Sequence, residues 1–467
     1  MLEFNGWRII MTHLYPREKY LSRIRGFYDA TDIIKVLTGM RRCGKSSLMQ
    51  LVGEELLQRG VNESNILFLS LQKKGYQSIR TPKQLEEAID RLSEGVTGTK
   101  YLFIDEIQKV KGFEEVIEAY REEEDYSIFI AGSNSYLLSG ELTTYLTGRY
   151  IEFEIGTLTY DEYLGMKHYF HLPIDLSSPT AEFEKYIREG GFPRAVLMEN
   201  PMDKQTYVRQ VIQEIFDRDI RTNKKIRNKE LFQAIQTYII NNFGSKTSIS
   251  SLCTYLSKTR KEPIKKDTVY RYLDILENAK IISKCKRFDL KSKKSLNGEE
   301  KYYLGDLSFY FATNVDGRVN YGPVLENIVY RYCRGKQYQV SVGQIGKLEV
   351  DFILRSPTLD YEYVQVARTI YGEEDEQGRD KMEEREYRPL EQIQDNYPKY
   401  VLSLDFLLQK RNGILHKNLI QMMENNEGFK SRLQIEGTSI LENRNPNIPL
   451  LYYLPRGNTH EKNTRSR

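Results

Sequence analysis

The chain has 467 residues, with 69 Lys and Arg against 65 Asp and Glu and a formal net charge of +4. That length suffices for about two to four domains with cores of their own, and so balanced a charge excludes a protein-wide field for nucleic acid, leaving only a local patch for such contact. Four cysteines (Cys43, Cys253, Cys285, Cys333) and five histidines lie scattered without metal-ligand spacing or a disulfide pattern, which argues against zinc and suits a reducing cytoplasm.

No apolar run reaches the roughly 18 to 20 residues of a membrane helix. Leu2 to Ile10 carries Glu3, Asn5 and Arg8 where a signal peptide would be apolar, and Met11 offers a second start beside Met1. Residues 15–156 alternate strand and helix patterns, as a parallel sheet covered by helices requires, so the fold class is α/β. Ile33-Ile34-Lys35-Val36-Leu37 is short and β-branched and reads as a buried strand, while Ser47 to Leu57 places apolar residues at helical spacing. Between them, Gly39-Met40-Arg41-Arg42-Cys43-Gly44-Lys45-Ser46 fits G-x-x-x-x-G-K-[ST], a phosphate-binding loop. Its glycines let the backbone approach an anion. Successive N–H groups up to Ser47 and the helix start supply partial positive charge, and Lys45 adds a full one. Ser46 is the candidate hydroxyl ligand of Mg²⁺.

Asn65 to Leu71 reads as a further strand. Lys100 to Asp105 is an apolar strand that ends in two carboxylates, Asp105 and Glu106. Asp105 suits Mg²⁺ held through its water shell, and Glu106 suits orienting or deprotonating the attacking water. The strand inserted between the two motifs fits the branch of P-loop NTPases with a catalytic acid on the second motif. Tyr126 to Gly132 then runs into Ser133-Asn134-Ser135, a polar strand end that also fits a plain cap for a helix starting near Ser135. Arg149 stands just before a last strand, Tyr150 to Ile155. An arginine there can stabilise a transferring phosphoryl group in cis or from a neighbouring subunit, although a solvated surface arginine is the commoner outcome.

Together with Arg17-Glu18-Lys19-Tyr20-Leu21, Phe103 to Gln108, Gly132 to Ser135, Leu146-Thr147-Gly148-Arg149 and Gly190-Gly191-Phe192-Pro193, the loop makes the chain resemble a known family. These are prokaryotic AAA-type P-loop ATPases with a C-terminal winged-helix and restriction-endonuclease-like domain of uncharacterised function. The resemblance covers roughly residues 15–420. It implies ATP and Mg²⁺ as cofactors, hydrolysis of ATP to ADP and phosphate, and a role for Ser133 or Asn134 in reading the γ-phosphate and the attacking water. It implies no cellular task. Residues 157–227 read as a helical, lid-like segment. In it Arg194 takes the place where many AAA-type ATPases carry a second sensor arginine, and a turn with a solvated arginine fits as well.

Residues 228–317 read as helices followed by a hairpin, a winged-helix pattern. Ser248 to Leu256 and Lys266 to Leu276 are its helices, the second capped by Asp267 or Thr268. Ile281 to Phe288 and Lys301 to Leu304 are strand-like and flank a basic tip, Lys291 to Gly298. Lys258, Arg260, Lys261, Lys265, Lys266, Arg271, Lys284, Lys286, Arg287, Lys291, Lys293 and Lys294 supply the basic footprint that the whole chain lacks, so DNA is a candidate partner here. Winged helices also serve as protein contacts, and a basic solvated face is routine. Residues 318–420 carry Asp351 on a strand, as a nuclease-like fold requires, and Glu326 on a helix pattern as an added carboxylate. On the next strand Gln365 and Ala367 replace the expected acid and lysine, which predicts an inactive site. Residues 421–467 turn polar and are expected to be disordered. The leading reading is a Mg²⁺-dependent ATPase that couples its nucleotide to a DNA- or protein-binding C-terminal half, with a protein partner or a second copy of the chain as further contacts and no membrane. An ATP-gated interaction switch with negligible turnover is the alternative, and an ATP-regulated nuclease a third.

Overall fold

A short antiparallel pair, β1 (Leu2–Phe4) and β2 (Trp7–Ile9), precedes the first helix, Glu18–Ile24. The computed structural model describes residues 2–4, 7–9, 14–132, 146–220, 226–313, 318–372 and 381–429. Five parallel strands build the first sheet: β3 (Ile34–Gly39), β4 (Ile66–Ser70), β5 (Lys100–Asp105), β6 (Tyr126–Ala131) and β7 (Tyr150–Ile155), in the order β4-β5-β6-β3-β7. Every residue of β3 to β6 is buried, which explains their unbroken apolar runs, since helices cover both faces. Helices Glu18–Ile24 and Lys45–Gln58 pack on one face with Leu37, Phe68, Phe103 and Phe129. Helices Pro82–Ser93 and Phe113–Glu122 pack on the other with Ile34, Leu67, Leu102 and Ile128. Phe68, Phe103 and Phe129 stack across three strands at centroid distances of 4.4 and 4.6 Å. The strand that precedes the acidic motif in sequence, β4, lies at the sheet edge. The strand lying between the loop strand β3 and the acid strand β5 in space is β6.

The second sheet has nine strands: β8 (Lys246–Thr247), β9 (Ile282–Asp289), β10 (Lys294–Leu304), β11 (Gln339–Ile345), β12 (Leu348–Arg355), β13 (Tyr361–Val366), β14 (Lys399–Ser403), β15 (Lys410–Arg411) and β16 (Ile414–Asn418). Their order is β15-β16-β14-β13-β12-β11-β9-β10-β8. β11 runs parallel to β9, with Val342 opposite Arg287 and Gln344 opposite Asp289, so one sheet crosses position 318, where the sequence pattern suggests a boundary. Helices Lys229–Asn241, Ile249–Arg260 and Lys266–Asn278 pack beside it, and a single core extends from Leu158 through these helices to Phe429. Met40 of the phosphate loop belongs to that core.

Three local expectations are corrected. The tail expected to be disordered from residue 421 is ordered as far as Phe429: the helix Leu419–Glu424 buries Met422 and Met423, and Phe429 joins the core with its carbonyl accepting from the Tyr338 hydroxyl at 2.9 Å. β10 starts at Lys294 and pairs with β9 through Leu296, so the hairpin turn is Leu290 to Lys293 and the Asn297-Gly298 signal lies at a register shift between Leu296 and Lys301. Gly298 (φ 85°) and Glu299 (φ 53°) take the left-handed conformation there, which lets one strand bend without ending. The helix starting at Lys266 has Lys265 at its N-cap with no side-chain cap, in place of Asp267 or Thr268. Among the described residues no helix is long and apolar enough to cross a membrane.

Candidate nucleotide site

β3 ends at Gly39, whose φ of 143° and contact with β7 exclude a side chain: a Cβ would lie 2.1 Å from the Ile155 carbonyl oxygen. The loop turns through Arg42 (φ 66°) and Gly44 (φ 105°) before the helix opens at Lys45. The first N–H groups of that helix face a cavity of about 590 Å³. Arg41, Arg42, Gly44, Lys45, Ser46 and Ser47 line one end, with Asp105 and Glu106 from the end of β5. Cys43 is fully buried in the core behind the loop, and Met40 points into the C-terminal core, so these two can contribute only backbone to the cradle.

Lys45 Nζ donates to the carbonyls of Gly39 (2.8 Å) and Met40 (3.0 Å), bonds that an incoming phosphate would replace. Ser46 Oγ donates to Asp105 Oδ2 at 2.8 Å. Asp105 Oδ1 is buried and has no hydrogen-bond partner. Burial, followed by the neighbouring Glu106 charge, pushes the Asp105 carboxyl above its ordinary value, against the opposing pull of Ser46 and Lys45. A hydroxyl and an under-satisfied carboxylate side by side are the oxygen donors that suit Mg²⁺. Glu106 sits in the left-handed region (φ 59°) and its Oε2 accepts from Gln108 Nε2 at 2.6 Å, which fixes its carboxylate at the cavity wall.

The other end of the cavity is apolar: Leu14, Tyr15, Leu158, Met166, Phe170 and Leu197 suit a flat heterocycle. Gln72, Arg194 and Tyr207 also line the cavity. Beneath it lies a cluster that motif reasoning missed. Arg17 Nε and NH2 each donate to Glu162 at 2.8 Å, and its NH1 donates to the carbonyls of Cys43 (3.0 Å) and Gly156 (2.8 Å). Lys19 Nζ lies 2.7 Å from the same carboxylate. Burial alone would raise the Glu162 carboxyl, but Arg17 and Lys19 hold it at about 2. Arg17 thus ties the phosphate loop to the helix Tyr160–Tyr169, which walls the apolar end. The capping pattern Thr159-x-x-Glu162 was legible in sequence. The pairing with a residue 145 positions away was not.

Ser133 and Asn134 lie outside the described residues. A cis role for Arg149 is corrected by the strand register. β7 runs parallel to β3, with Tyr150 opposite Ile34 and Ile155 opposite Gly39, so Arg149 sits at the sheet end away from the loop. Five strand residues, about 17 Å, separate the two ends. There Arg149 is half-exposed and pairs with Glu118.

In the second sheet, Asp351 is buried and its Oδ2 accepts from Val366 N at 2.8 Å, while its own N–H reaches Gln365 Oε1 at 3.3 Å. Glu326 Oε2 accepts from Lys301 Nζ and from the Tyr303 hydroxyl, both at 2.7 Å. Lys301 also pairs with Glu349 at 2.9 Å. Burial, then the Glu326 charge, pushes the Asp351 carboxyl well above its ordinary range. Ala367 has only a methyl group and brings no amine to this cluster. Among the described residues no three His, Cys, Asp or Glu side chains converge as a metal site.

An AAA-domain family matches residues 31–164, and a family of unknown function matches residues 180–317. An uncharacterized protein of Haemophilus influenzae is 33% identical over 354 residues, covering 76% of this chain and 87% of its own length. An uncharacterized protein of Methanocaldococcus jannaschii is 27% identical over 330 residues, covering 69% and 72%. The structure also overlaps a Walker-type ATPase of Pyrococcus abyssi at 13% identity and a TM-score of 0.46, covering 64% of this chain and 95% of that one. With the phosphate loop and the paired acids in one cavity and that degree of identity to the Haemophilus influenzae protein, this chain carries an AAA-type P-loop ATPase domain and belongs to the same family as that protein.

Proposed function

We propose that the protein binds ATP with Mg²⁺, hydrolyses it, and passes its nucleotide state to a C-terminal half that contacts DNA or protein. The observation that carries the reading is the 2.8 Å contact of Ser46 Oγ with Asp105 Oδ2, with Lys45 and Glu106 on the same wall. The phosphates lie against the N–H groups opening the helix Lys45–Gln58, and Lys45 exchanges its carbonyl partners for phosphate oxygens. Bound Mg²⁺, held by Ser46 and Asp105, would neutralise phosphate charge. Glu106, steadied by Gln108, orients the attacking water and accepts its proton. Ser133 or Asn134 reads the γ-phosphate. Arg194, which lines the cavity, supplies a cation from the lid side. Arg149, at the far end of the sheet, can serve only the site of a neighbouring copy.

Three helices followed by the β9–β10 hairpin support a winged-helix reading of residues 228–317, with exposed Lys258, Lys261, Lys265, Lys266, Lys293 and Lys294 as phosphate contacts. A second reading, a protein-contact switch with negligible turnover, is favoured by one observation. The hairpin is built into the large sheet through β11 instead of standing clear of it. The strand order next to Asp351 suits a nuclease-like fold, and Gln365, Ala367 and the committed Lys301 argue against cutting. Steady-state phosphate release, measured with and without DNA, tests the proposal. Turnover stimulated by DNA supports it, and ATP binding without turnover moves the switch into first place.

A further inference from the structure

Arg41 and Arg42 are two guanidinium groups in the variable part of the phosphate loop, and both line the nucleotide cavity. Both also face one carboxylate. Glu214 Oε2 accepts from Arg42 Nε at 3.3 Å and NH2 at 3.2 Å, and Glu214 Oε1 lies 3.9 Å from Arg41 NH1. Glu214 ends the helix Pro201–Glu214, which also lines the cavity through Tyr207. That helix packs against Ser308–Thr313, and Arg209 Nε donates to the Ala312 carbonyl at 3.3 Å. Immediately after Glu214 the chain passes into a π-helical turn, Ile215–Ile220, a geometry less stable than the α-helix and common at functional positions.

A nucleotide's phosphates and the Glu214 carboxylate compete for the same two cations. Guanidinium forks bind phosphate oxygens at least as well as carboxylate oxygens, and a polyphosphate brings more charge. We propose that Glu214 sets the nucleotide affinity of this site: it holds Arg41 and Arg42, and a nucleotide's phosphates take them from it. This rests on the ATP-binding reading above. Glu214 is therefore a positioning residue that acts through the two arginines. Because its helix is seated on Ser308–Thr313, release of Glu214 also loosens the end of an element that touches the C-terminal half.

The test is the dissociation constant of a fluorescent ATP analogue for the full chain, with Mg²⁺ present. Glu214→Gln should tighten binding by about two- to fivefold, the worth of one partly exposed ion pair removed from the competing state. Glu214→Asp, which keeps the charge, should stay close to the parent. In an Arg41→Ala, Arg42→Ala background the gain from Glu214→Gln should vanish, because the two effects share their partners. Arg42→Ala alone, at a half-exposed position, should weaken binding severalfold. A Glu214→Gln protein that binds no tighter than the parent, a gain that survives loss of both arginines, or unweakened binding by Arg42→Ala each overturns the proposal. Lys45→Ala separates the two levels. If the parent binds and Lys45→Ala does not, the nucleotide reading stands whatever Glu214 does, whereas a parent that binds no ATP sinks both.

Discussion

Lys45 is the one ammonium that the phosphate loop directs into the cradle, and its Nζ is held by two carbonyls of its own loop. Lys45→Ala should weaken ATP binding by about a hundredfold or more, as expected when a charge-assisted contact worth ~3 kcal/mol is lost. Equilibrium binding checks this. Glu106→Gln preserves shape and the reach to Gln108 but removes the base. It should leave ATP bound while slowing phosphate release by about a hundredfold or more. Unchanged turnover would place the catalytic base elsewhere. Glu162 makes a prediction in pH. Its carboxyl is held at about 2 in the folded chain, below its ordinary value, so its contribution is fully present above about pH 4.5 and fades as pH falls through 2. The sign follows from the unfolded chain binding more protons in that window. Glu162→Gln should cost ~3 kcal/mol near neutrality, and the gap in unfolding midpoint between parent and variant should narrow on acidification.

Elements meet through single side chains that bridge them. Arg17, just ahead of the first helix, reaches the phosphate loop, the end of β7 and the helix Tyr160–Tyr169 with one guanidinium. A lysine cannot reproduce that fork, so Arg17→Lys should weaken ATP binding by about tenfold through the misplaced loop. The measurement is the same binding titration, with unchanged affinity as the outcome against it. Lys301 plays the corresponding part in the second sheet. From β10 it carries its ammonium to Glu326 on the helix Tyr321–Gly335 and to Glu349 on β12. Removing it takes the ammonium from Glu326, while Glu349 keeps its pairing with Lys246 at 2.6 Å. Lys301→Met should therefore gain a Mn²⁺-dependent rise in melting temperature that the parent lacks and that Asp351→Asn cancels.

For the whole molecule, the question is whether the C-terminal half meets DNA. The net charge of +4 gives no global attraction, so binding must come from the exposed lysines of residues 258–294. Replacing Lys291, Lys293 and Lys294 by Ala should weaken DNA binding and flatten its dependence on salt. With Mg²⁺ or Mn²⁺ and ATP present, the DNA should remain uncut. Cleavage that disappears in Asp351→Ala would reverse the reading of that cluster. No DNA binding at low salt would favour the protein-contact switch.

The phosphate loop and the Asp105-Glu106 strand end were legible in sequence because their physics is local. A buried strand, a glycine turn and a helix start are encoded in adjacent residues, and the apolar runs of β3 and β5 carry their own burial. What depended on which surfaces meet was not legible. Arg17 with Glu162, Glu214 with Arg41 and Arg42, and Lys301 with Glu326 pair across separations that no periodicity marks. The same holds for Arg149, whose place is set by the parallel register of β7 with β3, and for the hairpin drawn into a nine-stranded sheet by β11. Local backbone preference decides where a strand or turn forms. Only tertiary packing decides which edge it pairs with and which charge is left buried beside it, because those free energies belong to pairs of distant residues and not to any one segment.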